Sequence, residues 1–473
     1  MPSSKPLRRP ARRLKRVLAL SLAAPLAFLI GAAEAEARSV LMISIDGMNA
    51  GYVTEAEVRG LRMPNLRRFM TEGGYASGVR GVVPTVSWPS AVALMTGTPP
   101  AKSGVLNNER FEPSDRNKPG GIYFYARDVK TDTLWDAAAR AGLVTANVDQ
   151  LASVGNPSIR YDIPRYEPSA WATENLKAME VASRPANFLP EMEARLGPYT
   201  GVDFDTPDYD AVRARFAIDI LRRYKPQFMT LHLSGVDVEA HAHAPFSPQA
   251  NKAAEGIDDL IGQLRAAALA ADPDAVVVVV SDHGQAPATR ILNLRIPLIE
   301  AGLIRIEAPV PGRPARIADW KADVWASAGA AIMLKDPSDT ATRAKVSEVL
   351  HGLAADPANG VARILEGAEI DKLQGFTGAA FVVDMTSGTT VGNALVGPLV
   401  SERKAPVGVH GYLPHNTQKD AAFFIAGKGV QAGRNLGRID MLQIAPTVAE
   451  ALGIKLKDAI EPALPVFAMG EKR

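Results

Sequence analysis

The sequence of 473 residues contains no cysteine. The chain therefore forms no disulfides, and thiolates are excluded as metal ligands. Any metal ion must bind to histidine, carboxylate or hydroxyl groups, which are the donors that hard and borderline divalent cations accept.

The chain also lacks a long apolar segment beyond residue 40. Before that point, a basic stretch from Lys5 to Arg16 leads into an apolar stretch from Val17 to Ala33, and a small-residue cleavage site ends at Ala37. This layout is typical of a signal peptide. We predict that residues 1–37 are a signal peptide, that the mature chain is exported to the periplasm or secreted, and that it then has no stable membrane association.

Two features of this N-terminal segment leave alternatives open. Its apolar stretch is nearly long enough to span a bilayer, so a retained membrane anchor is the alternative to cleavage. The pair Arg12 and Arg13 is compatible with twin-arginine export, so both the Sec and the Tat route stay open.

A strong excess of positive charge is absent from the rest of the chain. The formal charge is +2, and residues 1–37 carry seven Lys or Arg and two Glu. Removing that excess of five positive charges leaves −3 on the mature chain. We therefore expect no binding to duplex nucleic acid and no electrostatic attraction to an anionic membrane. The sequence indicates no particular oligomeric state.

Short apolar runs that end in acidic residues recur along the chain. The run 39–45 ends at Asp46, the run 228–233 leads to Asp237, and the run 276–280 leads to Asp282 and His283. A further run, 422–426, ends at Gly427. Such runs are typical of buried parallel strands, whose carboxyl ends carry the ligand site. Helical patterns between them, at 134–141, 209–223 and 249–271, predict a doubly wound α/β sheet.

The stretch from residue 307 to 400 has a different pattern. Residues 307–320 are rich in proline and predict a surface loop. Residues 328–400 then read as strand 330–334, helix 340–354 and strand 379–383. We predict a small inserted α+β lobe at 328–400, and a catalytic domain made of 38–327 and 401–473.

Histidines and acids lie at spacings that suit a metal site. Asp237 and His241 are one helical turn apart, Asp282 and His283 are adjacent at a strand end, and His410 lies between two glycines in VGVHGYLP. Each of these alone is more often a capped turn beside a structural histidine. Three of only seven histidines in such contexts favour a metal centre.

Ser87 lies in GVVPTVSWPSAVALMTG. Pro89 suits the first position of a helix and Gly97 suits its end, so we predict that Ser87 immediately precedes a helix N-terminus. Free backbone N–H groups at such an end stabilise an alkoxide and a bound phosphate. The serine is thus a candidate nucleophile, and a helix cap without chemistry is the alternative.

Taken in order, the segments MISIDGM, VPTVSWPSAVALMTGTPPAKSGVLNN, GVDVEAHAHAP, VSDHGQ, GVHGYLPHN and DMLQIAPTVAEALGI resemble the nucleotide pyrophosphatase/phosphodiesterase family of the alkaline phosphatase superfamily. The resemblance covers about residues 39–455. It implies an alkaline-phosphatase type of sheet, a small-molecule phosphate ester as substrate, and a nucleophile that forms a covalent phospho-enzyme.

The resemblance also implies the site residues and the cofactors. Two divalent ions are expected, with zinc the expected metal: one held by Asp237, His241 and His410, and the other by Asp46, Asp282, His283 and the Ser87 oxygen. Asn108 falls at the position of a phosphate-binding asparagine. The expected activity is that of a phosphodiesterase or nucleotide pyrophosphatase.

Three positions depart from the family pattern. Ser87 replaces threonine, Ser90 replaces asparagine, and Ala240 replaces glycine. A serine keeps the hydroxyl, so the chemistry survives while the substrate preference becomes open. The alternatives are hydrolysis of phosphomonoesters, phosphonates or sulfate esters on the same scaffold, or a binding protein that has lost activity.

The remaining candidates concern substrate contacts. His243 and His415 lie next to ligand motifs and could contact substrate or a ligand carboxylate. Aromatic residues between 109 and 200 could stack on the leaving group, although such side chains are more often core. These candidates are Tyr123, Phe124, Tyr125, Trp135 and Tyr166.

Overall fold

The computed structural model describes residues 38–203, 208–308, 310–326 and 329–468. The predicted signal peptide, residues 1–37, lies outside the described residues. In the part of the chain that is described, no helix combines the length and the apolar character that a membrane span requires.

Strands occur along the whole described chain. In chain order they are β1 Val40–Ile45, β2 Gly74–Tyr75, β3 Gly78–Arg80, β4 Thr145–Val148, β5 Tyr161–Ile163, β6 Phe228–Leu233, β7 Val276–Ser281, β8 Ala286–Asn293, β9 Ile304–Ile306, β10 Ile317–Trp320, β11 Ala322–Ala326, β12 Ala330–Leu334, β13 Val361–Glu366, β14 Phe381–Met385, β15 Thr389–Gly392, β16 Val400–Val409, β17 Phe423–Gly427, β18 Arg434–Asn435 and β19 Arg438–Asp440.

Helices alternate with the strands, and the three predicted central helices are present with bounds shifted by one residue. In chain order the α-helices are α1 Gly51–Thr54, α2 Ala56–Arg59, α3 Pro64–Glu72, α4 Ser87–Thr96, α5 Pro100–Ser103, α6 Leu134–Arg140, α7 Ala172–Ala182, α8 Phe188–Leu196, α9 Tyr209–Tyr224, α10 Gly235–His243, α11 Pro248–Ala271, α12 Arg295–Glu300, α13 Thr340–Ala354, α14 Ala368–Leu373 and α15 Ile444–Leu452.

The central sheet has eight strands in the order β18-β2-β17-β7-β1-β6-β4-β5. The strands β7, β1, β6 and β4 are parallel, and β17 runs antiparallel to β7. Residues of β1, β6 and β7 are buried along their whole length, which explains their continuous apolar sequences, because helices cover both faces. The predicted α/β fold is confirmed.

Alternate residues of β1 enter two separate hydrophobic cores. Leu41 and Ile43 pack on one face with residues of α3, α9 and α11. Val40 and Met42 pack on the other face with residues of α4, α6 and α15. The sheet is therefore wound with helices on both sides, as the sequence pattern predicts.

The strand register brings the predicted ligand positions to one edge of the sheet. Ile45, the last residue of β1, lies opposite Leu233 of β6 and Ser281 of β7. Because these three strands are parallel, the residues that follow them emerge side by side. Asp46, the start of α10 and Asp282 therefore lie next to one another.

A smaller antiparallel sheet, in the order β11-β12-β14-β13, lies in the chain between β7 and β17 of the central sheet. It spans Ala322–Met385 and includes Ala330–Leu334 and Phe381–Met385, while α13 contacts β13. The lobe boundaries at 328 and 400 stay a prediction. The predicted surface loop 307–320 is wrong at its end, because Ile317–Trp320 forms β10 and pairs with β9.

Candidate metal centre and nucleophile

The first group of predicted ligands lies at the ends of β1 and β7. Ligand atoms of Asp46, Asp282 and His283 all lie within 4.8 Å of one another. The Nε2 atom of His283 is 3.3 Å from Oδ1 of Asp46 and 3.7 Å from Oδ2 of Asp282. Adjacent residues 282 and 283 converge because the chain turns directly after the strand. Three donors with this mutual spacing can bind one cation.

The second group lies on α10 and at the end of β16. Asp237 and His241 are one turn apart on α10, with Nε2 of His241 3.4 Å from Oδ2 of Asp237. That Nε2 atom is also 3.1 Å from Nε2 of His410. Asp237, His283 and His410 again offer atoms within 4.8 Å of one another, and the rings of His283 and His410 stack at 3.6 Å. The two groups therefore adjoin at His283.

Several buried polar atoms of these residues face one another without hydrogen bonds. Oδ1 of Asp46 and Oδ2 of Asp282 are buried and have no hydrogen-bond donor. A buried carboxylate oxygen without a donor is costly. A divalent cation would supply the missing interaction, so the donor set fits two metal ions with oxygen and nitrogen ligands.

The electrostatics of the cluster point the same way. Burial, together with Asp46, raises the pKa of Asp237 and of Asp282 well above the usual range. Burial also raises the pKa of Asp46, but His232 and His283 outweigh it and hold that pKa below the usual range. The carboxylates thus repel each other in a poorly solvated space, and positive charge between them relieves that repulsion.

The histidines are present in the form that binds metals. Burial lowers the pKa of His283 to about 4 and that of His410 well below its usual value. Burial lowers the pKa of His241 as well. Neutral imidazole keeps a free lone pair, as coordination requires. Backbone carbonyls fix the ring orientations, since Nδ1 of His241 contacts the Gly408 oxygen at 2.9 Å and Nδ1 of His410 contacts the Thr85 oxygen at 3.0 Å.

Ser87 lies at the first group of ligands. Its Oγ atom is 3.3 Å from Nε2 of His283. Helix α4 begins at Ser87 itself, after Val86 in an extended conformation, and no side chain caps the helix. The predicted helix start at Pro89 is therefore wrong, and so is the capping alternative for Ser87. Pro89 is tolerated because the first turn of a helix needs no N–H donor at that position.

Comparison with known proteins decides which family this site belongs to. Residues 40–412 match the family model described as type I phosphodiesterase / nucleotide pyrophosphatase. The chain belongs to this family. The resemblance inferred from the motifs is thereby confirmed.

Individual relatives are distant. Rat ectonucleotide pyrophosphatase/phosphodiesterase family member 1 is 25% identical over 256 residues, which cover 53% of this chain and 24% of the rat protein. Venom phosphodiesterase 2 of Crotalus adamanteus is 22% identical over 48% of this chain and 24% of its own length. The chain thus spans about a quarter of the length of these curated relatives.

Solved structures of the family share the fold. Murine ectonucleotide pyrophosphatase/phosphodiesterase 5 matches with a TM-score of 0.62 at 16% identity, over 90% of this chain and 97% of the mouse chain. An inactive threonine-to-alanine variant of the mouse protein in complex with AMP matches with a TM-score of 0.61, also at 16% identity and with the same coverage of both chains. This likeness confirms the alkaline-phosphatase type of α/β fold for the family member described here.

The side-chain amide of Asn108 is hydrogen-bonded to the residue that follows Ser87. Its Oδ1 atom accepts a hydrogen bond from the backbone N–H of Trp88 at 3.0 Å. This bond fixes the orientation of the amide, so Nδ2 points away from Trp88. No described residue accepts a hydrogen bond from Nδ2. The structure thus leaves a neutral N–H donor next to Ser87.

Sequence reasoning missed the residues that support the ligands. His232, buried in β6, lies 3.3 Å from Oδ2 of Asp46 through Nε2 and 2.7 Å from Ser44 Oγ through Nδ1. Gln285 donates from Nε2 to the carboxylate of Asp237, and its backbone N–H donates to Asn49 Oδ1 at 3.0 Å. A histidine inside the apolar run FMTLHL was the one signal available in the sequence.

The other predicted contacts are more scattered. His243 is 44% exposed and faces Glu239, and His415 lies on the surface beside Asp384 and Arg363. Neither histidine contacts the two groups of predicted ligands. The nearest acid to His243 is Glu239, and the nearest acid to His415 is Asp384. Trp135 is buried in the core between α6 and the sheet.

Three of the remaining aromatic candidates, Phe124, Tyr125 and Tyr166, contact one another in a row that begins at Trp88, the residue after Ser87. The ring of Phe124 lies edge-on to Trp88 at 6.0 Å and edge-on to Tyr166 at 5.4 Å. The hydroxyls of Tyr125 and Tyr166 are 2.7 Å apart. Tyr123 is buried and its ring faces Arg110. An aromatic surface therefore adjoins Ser87, and its role in substrate binding stays a prediction.

Proposed function

We propose that the chain is a phosphodiesterase with two zinc ions that uses Ser87 as its nucleophile. The observation that carries the proposal is the position of the Ser87 hydroxyl at the meeting point of the two ligand groups. The same Nε2 atom of His283 lies 3.3 Å from Ser87 Oγ and 3.3 Å from Asp46 Oδ1. An ion bound by Asp46, Asp282 and His283 is then also close to the serine oxygen.

In this proposal Asp237, His241 and His410 hold one ion, and Asp46, Asp282, His283 and Ser87 hold the other. When bound, the two ions lower the pKa of the nucleophile and neutralise charge on the attacking and leaving oxygens. The burial of Asp46, Asp282 and His283 keeps water from competing for the ligand atoms. A side chain that acts as a general base is then not required.

The chain's own residues carry out the chemical steps. Ser87 Oγ gives its proton to solvent water and forms a bond to phosphorus, while the bond from phosphorus to the leaving oxygen breaks and that oxygen takes up a proton from water. The product of a diester is a phosphodiester of the Ser87 oxygen that keeps the second ester group of the substrate. Water then attacks that ester, and the serine oxygen leaves and regains a proton. Two inversions give net retention of configuration at phosphorus.

Asn108 and the start of α4 stabilise the charged phosphoryl group. Nδ2 of Asn108 donates to a nonbridging oxygen, and its orientation is fixed before substrate binds. In the first turn of α4, Trp88 N–H donates to Asn108 and Pro89 has no N–H. The N–H of Ser87, which has no intrahelical acceptor, is therefore the backbone donor available to the phosphoryl group. Preorganised donors of this kind stabilise a transition state without reorganisation.

The comparisons support phosphodiester chemistry. The matched relatives are named as pyrophosphatases and phosphodiesterases, and one neighbouring structure contains AMP. We therefore propose a small phosphate diester or nucleotide as substrate. We also propose that the protein acts outside the cytoplasm, consistent with the predicted signal peptide. Monoesters, phosphonates and sulfate esters are the competing substrates.

A substrate panel tests the proposal. Zinc-loaded protein is assayed with bis(4-nitrophenyl) phosphate, 4-nitrophenyl phosphate, 4-nitrophenyl phenylphosphonate and 4-nitrophenyl sulfate. We expect the highest kcat/KM for the first compound. A higher kcat/KM for the monoester or for the sulfate would replace the phosphodiesterase assignment, and no turnover of any compound would refute hydrolysis.

A further inference from the structure

A cavity of about 560 Å³ opens beside the second ligand group. His241, His410 and Asn108 line its inner end. Its other walls come from the loop that follows Asn108, from the start of α12, from the end of β11 and from β15. A cavity of this size accommodates a small organic molecule in addition to a phosphoryl group.

The charged lining of this cavity is mostly cationic. Its one acidic residue is Glu109, whereas four residues carry positive charge. Burial raises the pKa of Glu109, because its charged carboxylate is poorly solvated there. The field in the cavity therefore favours an anion. The four cationic residues are Arg110, Arg116, Lys118 and Arg295.

Two of these arginines are built into the wall around one carboxylate. Asp323 has no exposed surface. Its Oδ2 atom accepts from Nε of Arg116 at 2.6 Å, and its two oxygens accept from Nε and Nη2 of Arg295 at 2.8 and 2.9 Å. Two guanidinium groups against one carboxylate leave one uncompensated positive charge in a largely buried position. Surface lysines do not provide such a fixed charge.

Arg295 is the arginine of this pair that lines the cavity with a donor left unused in the described part of the chain. All three guanidinium nitrogens of Arg116 donate hydrogen bonds. Besides the contact of Nε with Asp323, Nη1 donates to the backbone carbonyl of Glu112 and Nη2 to that of Val324. Arg295 uses Nε and Nη2 on Asp323, and its Nη1 has no acceptor among the described residues. The bidentate contact with Asp323 fixes the plane of the guanidinium group. Nη1 of Arg295 is therefore a preoriented, charged donor.

We propose that Arg295, positioned by Asp323 and Arg116, is a recognition site for a second oxyanion group of the substrate. This inference rests on the proposed function, since the first phosphoryl group is taken to lie at Ser87. The ligand chemistry is that of a carboxylate or a further phosphoryl group separated from the reacting phosphorus by a short linker. Phosphate esters that lack this second anionic group then bind without the charged interaction with Arg295.

Equilibrium binding tests this site without relying on turnover. Three phosphonates with the same two-methylene linker serve as probes: ethane-1,2-diylbisphosphonate, 3-phosphonopropanoate, and 3-phosphonopropanamide, whose second group is uncharged. Calorimetry with zinc-loaded protein gives their Kd values. A charge-assisted hydrogen bond is worth about a factor of ten in affinity, so both anionic probes should bind about tenfold more tightly than the amide. Preference for one anionic probe identifies the second group as carboxylate or phosphoryl.

Arg295→Met is the decisive variant. It leaves Asp323 paired with Arg116, so the buried charges still balance and we expect the variant to fold, as its thermal midpoint will show. The tenfold advantage of the anionic probes over the amide should disappear. Arg295→Lys keeps the positive charge but loses the bidentate geometry of the guanidinium group, so it should retain only part of the advantage of the anionic probes.

Lys118→Met is the matched control. Lys118 also lines the cavity, but its side chain is 75% exposed and pairs with Asp115. Because solvent screens it, we expect the probe ratio to change less than twofold. Equal affinities of the three probes for the wild type, or a full anionic advantage in Arg295→Met, would overturn the proposal. The two proposals fail separately. Absence of the anionic advantage in the wild type counts against the recognition site, whereas a wild-type protein that binds the probes with that advantage but hydrolyses no ester counts against the proposed function.

Discussion

His232 lies between Ser44 and Asp46, with Nδ1 2.7 Å from Ser44 Oγ and Nε2 3.3 Å from Asp46 Oδ2. The imidazole of His232 therefore adjoins one oxygen of Asp46, Oδ2, while the other oxygen, Oδ1, adjoins His283. A partner behind a ligand carboxylate fixes its orientation and tunes its basicity.

The first prediction concerns this contact. His232→Phe removes the partner of Asp46 and should lower zinc affinity by about 10- to 100-fold, which competition with a chelator measures. His232→Gln keeps a donor and should lose less affinity. His243→Gln, on the exposed part of α10, is the control and should bind zinc like the wild type. Unchanged affinity in His232→Phe would show that His232 only fills space.

The second prediction concerns Ser87, the proposed nucleophile. Ser87→Ala should reduce turnover of bis(4-nitrophenyl) phosphate by about 10³-fold or more, because no other hydroxyl replaces the attacking oxygen. Ser87→Thr restores the residue of the family pattern and should retain activity. Mass spectrometry after rapid quenching of the wild type with this substrate should detect Ser87 that carries a 4-nitrophenyl phosphate group. Turnover of the alanine variant within tenfold of the wild type would eliminate Ser87 as nucleophile.

The third prediction concerns Asn108. Removing one preorganised donor to a transition-state oxygen costs about 10²- to 10³-fold in kcat, or about 2.7–4 kcal/mol. Asn108→Ala should show that loss with little change in KM. Asn108→Asp should lose at least as much, because a carboxylate repels the phosphoryl oxygens. A change in KM alone would assign Asn108 to ground-state binding instead.

The fourth prediction concerns stability against pH. Asp162 is buried in β5, Nδ2 of Asn147 donates to its Oδ1 at 2.8 Å, and Oδ2 has no partner. Burial raises the pKa of Asp162 from 3.8 to about 8. The unfolded chain thus ionises first, so this group's contribution to stability is full below about pH 4 and is lost as the pH rises to about 8.

Asp162→Asn removes that dependence. The free energy of unfolding of the variant relative to the wild type should increase by about 1.4 kcal/mol per pH unit between pH 5 and 7.5. Denaturant titrations of both proteins at several pH values give this difference. The same difference at every pH would show that Asp162 is ionised in the folded protein.

Local sequence patterns predicted β1, β6, β7 and β17, four of the eight strands of the central sheet, because each of them is a short apolar run and three of these runs lead to an acid. They also predicted where the candidate ligands lie, since the carboxyl ends of parallel strands share one edge. Both conclusions depend on residues close together in the chain. The helix start at Ser87 was misplaced by two residues, because Pro89 is compatible with more than one position in a first turn.

Features that depend on distant contacts could not be predicted. The pairing of His232 with Asp46 requires the exact alignment of β1 with β6. The contact of Arg116 and Arg295 with Asp323 joins three segments that have no common motif. Strand β10 was missed because its partner β9 lies across a proline-rich turn, and pairing, not composition, makes residues 317–320 a strand.

The central claim is that two metal ions occupy the space between the six His and Asp ligands. The direct measurement is the metal content of protein that is saturated with zinc and then freed of unbound metal, determined by inductively coupled plasma mass spectrometry. The account predicts two zinc ions per chain in the wild type and a loss of about one ion in His410→Ala. Less than one ion per chain in the wild type, or two ions retained in that variant, would contradict it.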